Sequence, residues 1–396
     1  MATIIYSLKQ YKSKRKPVEG LLLLFLYLLF STSCGRNDET QSNRVSEAPM
    51  LALKKTFSIP IDSVTSNVVA AYDYLNSNKG EYFTFLNRNN NSIYYFNLNT
   101  QKYDKVRKFE NQGPNGVGDF NTTTRYMLKG DSVIFYDRQY MRLVIVNDDN
   151  DVVSKFNFKE VKESPYGRLG DWMILEQDGS FNFSTSAVRL SYVEVIDLPD
   201  SLEMTYNPRT QEYGKAYLPL PAIYLNKKWI TEHLFYHRAH SEKDQRSVYS
   251  FPVDENIYYK GSDGVLKSKY MGSDKLNSIE SMPSMELAMD FEKKLKYYFV
   301  QGRYDHLYYD PYRDIYLRFA LSPLNENKFD MNDPMADTSA YDQMIILADN
   351  ELNKIGEFQN DMSMALTVFF RQDGIYIMRR AENEDELIFD VYDLEN

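Results

Sequence analysis

The segment VIFYDRQYMRLVIVNDDNDVVSKFNF, residues 133–158, reads as three successive strands. Val133 to Tyr136 and Leu143 to Val146 are short runs of β-branched and aromatic residues, Asp148 to Asp151 is a polar turn, and Val152 to Phe158 returns to alternation. No stretch between these runs has the length or the period of a helix, so the segment is an antiparallel meander. The same theme recurs at 345–358 and 374–394: an apolar strand, a polar turn, a strand ending near Asp or Asn, then a strand with Lys and Phe.

Working outward, hairpin signals continue along the chain. Tyr82 to Leu86 and Ile93 to Leu98 flank the Asn89-Asn90-Asn91 turn. Val248 to Phe251 pairs with Ile257 to Lys260, His306 to Tyr309 with Ile315 to Phe319, and Met344 to Leu347 with Lys354 to Phe358. The last group is Val368 to Phe370, Gly374 to Arg379 and Leu387 to Leu394. A theme returning roughly every 50 to 60 residues, with no helical layer between strands, predicts an all-β protein made by radial repetition of small sheets. That is a β-propeller, with six blades expected and seven as the alternative. A sandwich would need two domains at this length. Blades pack on their neighbours, which accounts for the lack of a Pro/Gly/Ser-rich linker between residues 51 and 396. The strand at Leu53 to Ile59 is expected to complete the C-terminal blade. One segment breaks the pattern: Leu287, Phe291 and Leu295 recur every four residues within 284–298, with acids early and lysines late, which predicts one short surface helix packed on the blades.

Composition agrees. Aromatic residues make up 15% of the 396 residues, and rings suit pleated, half-buried surfaces. Gly 17 and Pro 14 exclude collagen-like and low-complexity chains. The whole chain carries −10, whereas residues 1–33 carry +4, leaving −14 on the remainder. An acidic body without a basic stripe repels phosphate backbones, so nucleic acid is excluded as a partner.

The basic start has the order of an export signal. Lys12, Lys14, Arg15 and Lys16 precede an unbroken apolar run from Leu21 to Phe30, then Ser31, Thr32, Ser33 and Cys34. Ten apolar residues fall short of the roughly 20 a spanning helix needs. Residues 1–33 are therefore read as a cleaved signal peptide. Cys34 is the sole cysteine and stands where lipoprotein precursors carry the residue that takes lipid and becomes the mature N-terminus. Ser31 replaces the usual Leu of such a box. The plain alternative is an ordinary cleaved signal with an incidental thiol. Residues 34–50 are polar and aperiodic and read as a lipidated cysteine followed by a flexible tether. These features predict an outer-membrane lipoprotein of the cell envelope, with the periplasmic or outer face left open by Asp38 and Glu39 behind the cysteine.

Few residues invite chemistry. His233, His237 and His240 would share one face of a helix, but on a strand the first two lie about 13 Å apart, so the run is read as exposed histidines without a metal. The fourth histidine is His306. The acidic clusters Asp148–Asp151 and Glu382–Glu386 lack the Gly and the alternating oxygens of a calcium loop and read as solvated turns. Gly113-Pro-Asn-Gly116-Val-Gly118 has neither dinucleotide nor phosphate-loop spacing and reads as a tight connection needing positive φ. No nucleophile elbow or zinc-cysteine pair occurs. No catalytic residue and no cofactor is assigned, and Cys34 alone is named as a site, for lipid.

Gly113-Pro-Asn-Gly116, the run Tyr309-Asp-Pro-Tyr-Arg-Asp-Ile-Tyr-Leu-Arg-Phe319, and Gly374-Ile-Tyr376 with Leu387-Ile-Phe389 resemble domain-of-unknown-function family 4221, a group of TolB-like six-bladed propeller lipoproteins. The resemblance covers nearly all of the body and implies a propeller at the envelope, with no activity attached.

Three functions fit. The leading one is a non-catalytic, lipid-tethered propeller that binds an envelope protein or a glycan at one end of its channel, with Tyr-rich strands such as Tyr304 to Tyr316 as stacking platforms. The second is a hydrolase or lactonase-like enzyme with an axial metal, which requires Asp, Glu, Asn or His side chains converging at the channel mouth. The third is a structural subunit of an outer-membrane assembly.

Overall fold

Short runs of apolar and aromatic residues, as in Ser92–Asn97 and Ile315–Leu321, let both faces of each short sheet pack on neighbouring sheets, and the chain uses this six times. The computed structural model describes residues 50–395 except 68, 70, 121–123, 138–139, 159–167, 177, 187–191, 196–200, 217, 262, 278, 325–328, 330–341, 361–366 and 380–383. The leader, Cys34 and the tether as far as Pro49 lie outside the described residues, as do Glu382 and Asn383 of one acidic cluster; Met50, expected as the end of the tether, already belongs to a strand.

Six four-stranded antiparallel sheets form the blades. Blade 1 comprises Tyr72–Ser77, Gly80–Asn87, Ser92–Asn97 and Lys102–Lys108. Blade 2 comprises Thr124–Lys129, Ser132–Asp137, Arg142–Val146 and Val152–Asn157. Blade 3 comprises Arg168–Leu175, Phe181–Ser186, Glu203–Asn207 and Glu212–Ala216. Blade 4 comprises His237–Ser241, Arg246–Ser250, Asn256–Lys260 and Leu266–Tyr270. Blade 5 comprises Arg303–Asp310, Ile315–Leu321, Gln343–Ala348 and Lys354–Asn360. Blade 6 is Val368–Arg371, Gly374–Arg379 and Glu386–Glu395, with Met50–Pro60 added as its outer strand.

That last strand closes the ring as expected: it runs antiparallel to the C-terminal strand, with Phe57 opposite Phe389 and Ile59 opposite Leu387. The hairpins read from 133–158, 248–260, 306–319, 344–358 and 368–394 all form. The first strand of each blade is the inner one, and the inner strands of blades 1 and 2 and of blades 4 and 5 touch.

The core is a set of apolar wedges between consecutive blades, and these consume the aromatic residues. Phe83 of blade 1 lies 5.2 Å, ring to ring, from both Phe369 and Phe389 of blade 6. Phe158 and Phe183 meet at 5.1 Å between blades 2 and 3. Tyr304, Tyr309 and Tyr316 are buried in the same way, leaving Tyr312 as the exposed ring of that run. The expected surface platform of tyrosines is therefore corrected: flat rings fill the wedges better than they serve solvent.

The segment predicted as one helix is two, α1 (Met285–Met289) and α2 (Phe291–Val300). Asp290 is the reason. Its carboxylate accepts the Lys293 amide hydrogen at 3.1 Å, so a cap interrupts what periodicity alone would continue. Phe291 faces solvent, and Tyr298 and Phe299 do the packing in its place.

Gly113 and Gly118 do take positive φ, +93° and +87°. Asn91, itself at φ 55°, bonds through its side chain to Phe109 O, Gly118 O and Phe120 N and so ties this connection to blade 1.

Asp73, on the inner strand of blade 1, accepts the Leu128 amide hydrogen from blade 2 at 3.2 Å. Burial pushes its carboxyl up to about 6. A raised carboxyl contributes stability below the unfolded value near 3.8 and loses it as pH rises through 6. Asp73→Asn is expected to stabilise the fold at pH 7.5 by on the order of 1–2 kcal/mol and to be neutral at pH 4, as read from urea melts at the two pH values.

Candidate functional site

Antiparallel order fixes where additions to a propeller blade can project. An inner strand starts at one end of the channel. The connection from second to third strand, and the one from fourth strand to the next blade, return to that same end. A two-stranded sheet (Tyr192–Val195 with Lys227–Ile230), the turn Thr231–Leu234, α1 and α2 all lie in such connections. They therefore gather at the end where the inner strands begin.

At that end three donors converge. His237 opens the inner strand of blade 4, and Asp305 and His306 lie near the start of the inner strand of blade 5. Neighbours on a regular strand point to opposite faces. Here the register with the next strand shifts between Tyr304 and Leu307, and this bulge turns both Asp305 and His306 toward His237. His306 Nδ1 lies 3.1 Å and His237 Nε2 3.4 Å from Asp305 Oδ1. The two imidazole centroids are 4.6 Å apart. Their side chains retain 29%, 17% and 28% exposure for His237, Asp305 and His306, so the group is reachable by solvent. Burial opposes the charge on Asp305, but the flanking imidazoles outweigh it and hold its carboxyl well below the usual carboxylate range. All the donor atoms lie within 4.8 Å of one another.

The cluster extends along the inner strands. His306 stacks on Tyr308 with ring centroids at 5.8 Å and planes 5° apart. The hydroxyls of Tyr308 and Tyr72 are hydrogen-bonded, and Tyr72 Oη also meets the Val368 amide and carbonyl at 3.0 and 3.1 Å. One run of contacts thus links the inner strands of blades 4, 5, 6 and 1.

The three-histidine run separates. His233 sits in the turn Thr231–Leu234, fully buried among Trp229, Tyr297 and Tyr298, which corrects the expectation that it is exposed. His240 bonds Ser247 Oγ at 2.9 Å. Only His237 joins a cluster, and its partners come from 68 residues onward, where an Asp-His pair at a strand start gives no signal without knowledge of the bulge. The Asp148–Asp151 cluster forms a turn with Asn150 at φ 68°. Among the described residues no helix is long and apolar enough to cross a membrane.

Fold and site together define a six-bladed β-propeller with a His-Asp-His group at the mouth of its channel. The chain belongs to the DUF4221 family, a domain of unknown function, which matches residues 50–359. It is similar to a DUF4221 member of known structure from Bacteroides vulgatus, at 18% identity over 88% of this chain and 99% of that one, with a TM-score of 0.74. A Bacteroides fragilis protein described as exported shares the fold at 12% identity over 89% of this chain and 97% of that one, with a TM-score of 0.51. No curated protein matches the chain.

Proposed function

We propose that the protein is a lipid-anchored propeller of the cell envelope that binds an envelope protein or a glycan at the end of its channel where the inner strands begin. The observation that carries this reading is the gathering there of every described addition to the blades together with the His237-Asp305-His306 group. Propeller loops at one end form a recognition surface on a rigid support. The leader, Cys34 and the polar tether support attachment at a membrane, with the body standing off from it. Acidity of the body supports a partner other than nucleic acid.

Two experiments test it. Cys34→Ala is expected to abolish labelling by a radiolabelled fatty acid in the native host and to move the protein from the detergent phase to the aqueous phase. An unmodified thiol in the wild-type protein overturns the anchor. The full-length chain is expected to bind a glycan on an array or to crosslink to one envelope protein at fixed stoichiometry, and failure of both overturns the recognition role. A hydrolase working at the channel mouth is the second reading, favoured by the same three side chains. Turnover of an ester, lactone or glycoside substrate that Asp305→Asn abolishes would establish it instead.

A further inference from the structure

We propose that His237, Asp305 and His306 form a Zn2+ site. The inference stands whether the channel mouth binds a partner or turns over a substrate.

Zinc bonds imidazole nitrogen and carboxylate oxygen at about 2.0–2.2 Å, and tetrahedral angles then hold neighbouring donors about 3.3 Å apart. The two spacings to Asp305 Oδ1, 3.1 and 3.4 Å, already have that size. The imidazole rings stand 4.6 Å apart by centroid and all three donor atoms lie within 4.8 Å of one another, so side-chain rotation alone brings both nitrogens and the carboxylate oxygen onto one cation. Nitrogen donors select against Ca2+ and Mg2+, which prefer all-oxygen shells. Two imidazoles with one carboxylate are an established zinc donor set, shared with Fe2+, and Zn2+ is the ion that takes it with four-coordinate geometry and no redox chemistry. Three protein donors leave a fourth position, and the part exposure of the side chains leaves it open to solvent, the arrangement of zinc sites that accept an outside ligand. The bulge between Tyr304 and Leu307 is the device that builds the site, since a regular strand would send Asp305 and His306 to opposite faces. Tyr308, stacked on His306, fixes that ring.

The test uses the full-length chain in detergent, without a polyhistidine tag, stripped with a chelator and dialysed against Zn2+. Elemental analysis is expected to find one zinc per chain. Because removing even an outer partner of a ligand weakens metal binding 10- to 100-fold, Asp305→Asn and His306→Gln are each expected to weaken it at least about a hundredfold. His240→Ala, on the same strand as His237 but bonded to Ser247, is expected to keep wild-type affinity. Co2+ in place of zinc is expected to give the visible absorption of a four- or five-coordinate ion, lost in the two variants. Absence of stoichiometric metal in the wild-type chain overturns the proposal even if a variant fails to fold. Undiminished binding by Asp305→Asn overturns it as well.

Discussion

Arg318→Met is expected to cost at least about 4 kcal/mol of folding stability, one of the largest losses for a single substitution in this chain. Arg318 lies on the second strand of blade 5, fully buried, and reaches into blade 4. Its guanidinium donates to Ser250 Oγ and to four backbone carbonyls, those of Phe251, Asp254, Glu255 and Met271, at 2.6 to 3.2 Å, and lies 3.7 Å from the Tyr304 ring centroid. Burial pulls its pKa down to about 10, so it stays charged at physiological pH. Methionine keeps much of the apolar volume but takes the guanidinium from the buried carbonyls of Asp254 and Met271 and from Ser250, and removes one of two donors from the carbonyls of Phe251 and Glu255. Each buried group left without a donor costs roughly 1 kcal/mol or more. Arg318→Lys should recover little, because a point ammonium cannot span the fork. Urea melts check this; a loss below about 1 kcal/mol for Arg318→Met would show that the clamp between blades 4 and 5 is dispensable.

His233 gives the second large effect, and it depends on pH. Its ring is enclosed by Trp229, Tyr297 and Tyr298, and among the described residues neither ring nitrogen has a hydrogen-bond partner. Burial, helped by the Arg303 charge, pulls its pKa down to about 3 from 6.5. The folded protein therefore keeps His233 neutral while the unfolded chain takes up a proton below 6.5. Stability is complete above that value and falls as pH drops toward 3. Between pH 7.5 and pH 4 the wild-type protein should lose about 3 kcal/mol more than His233→Phe, which keeps the ring and removes the titration. Parallel acid sensitivity of the two proteins would mean that His233 is not enclosed. Because α2 covers this ring and Lys294 of the helix pairs with Glu232 at 2.6 Å, loosening is expected to begin at the additions above blade 4.

The blades were legible because their signal is local. A strand such as Leu143–Val146, its turn at Asp148–Asp151 and its partner announce themselves within twenty residues, and the closing strand at Leu53 to Ile59 shows the same alternation. The motif run Tyr309–Phe319 also turns out to be construction rather than chemistry. Asp310 accepts the Tyr312 and Arg313 amide hydrogens and pairs with the Arg313 guanidinium, Asp314 takes the left-handed turn at φ 57°, and Arg318 clamps the neighbouring blade. Two things were not legible. The break at Asp290 depends on a cap that competes with a helical period running through it. The channel-mouth group depends on a bulge and on the approach of two inner strands 68 residues apart, and neither leaves a pattern in the chain. The spacing of His233, His237 and His240 gives a shared face only on a helix and not on strands; of the three, His233 goes to an aromatic enclosure and His240 to Ser247.

The measurement that bears most directly on a working site at the channel mouth is an anomalous-difference map recorded at the zinc absorption edge, from crystals of the protein grown with Zn2+. The account predicts one strong peak per chain within bonding distance of His237 Nε2, Asp305 and His306 Nδ1. A map with no peak there, or with the metal elsewhere on the propeller, would contradict it.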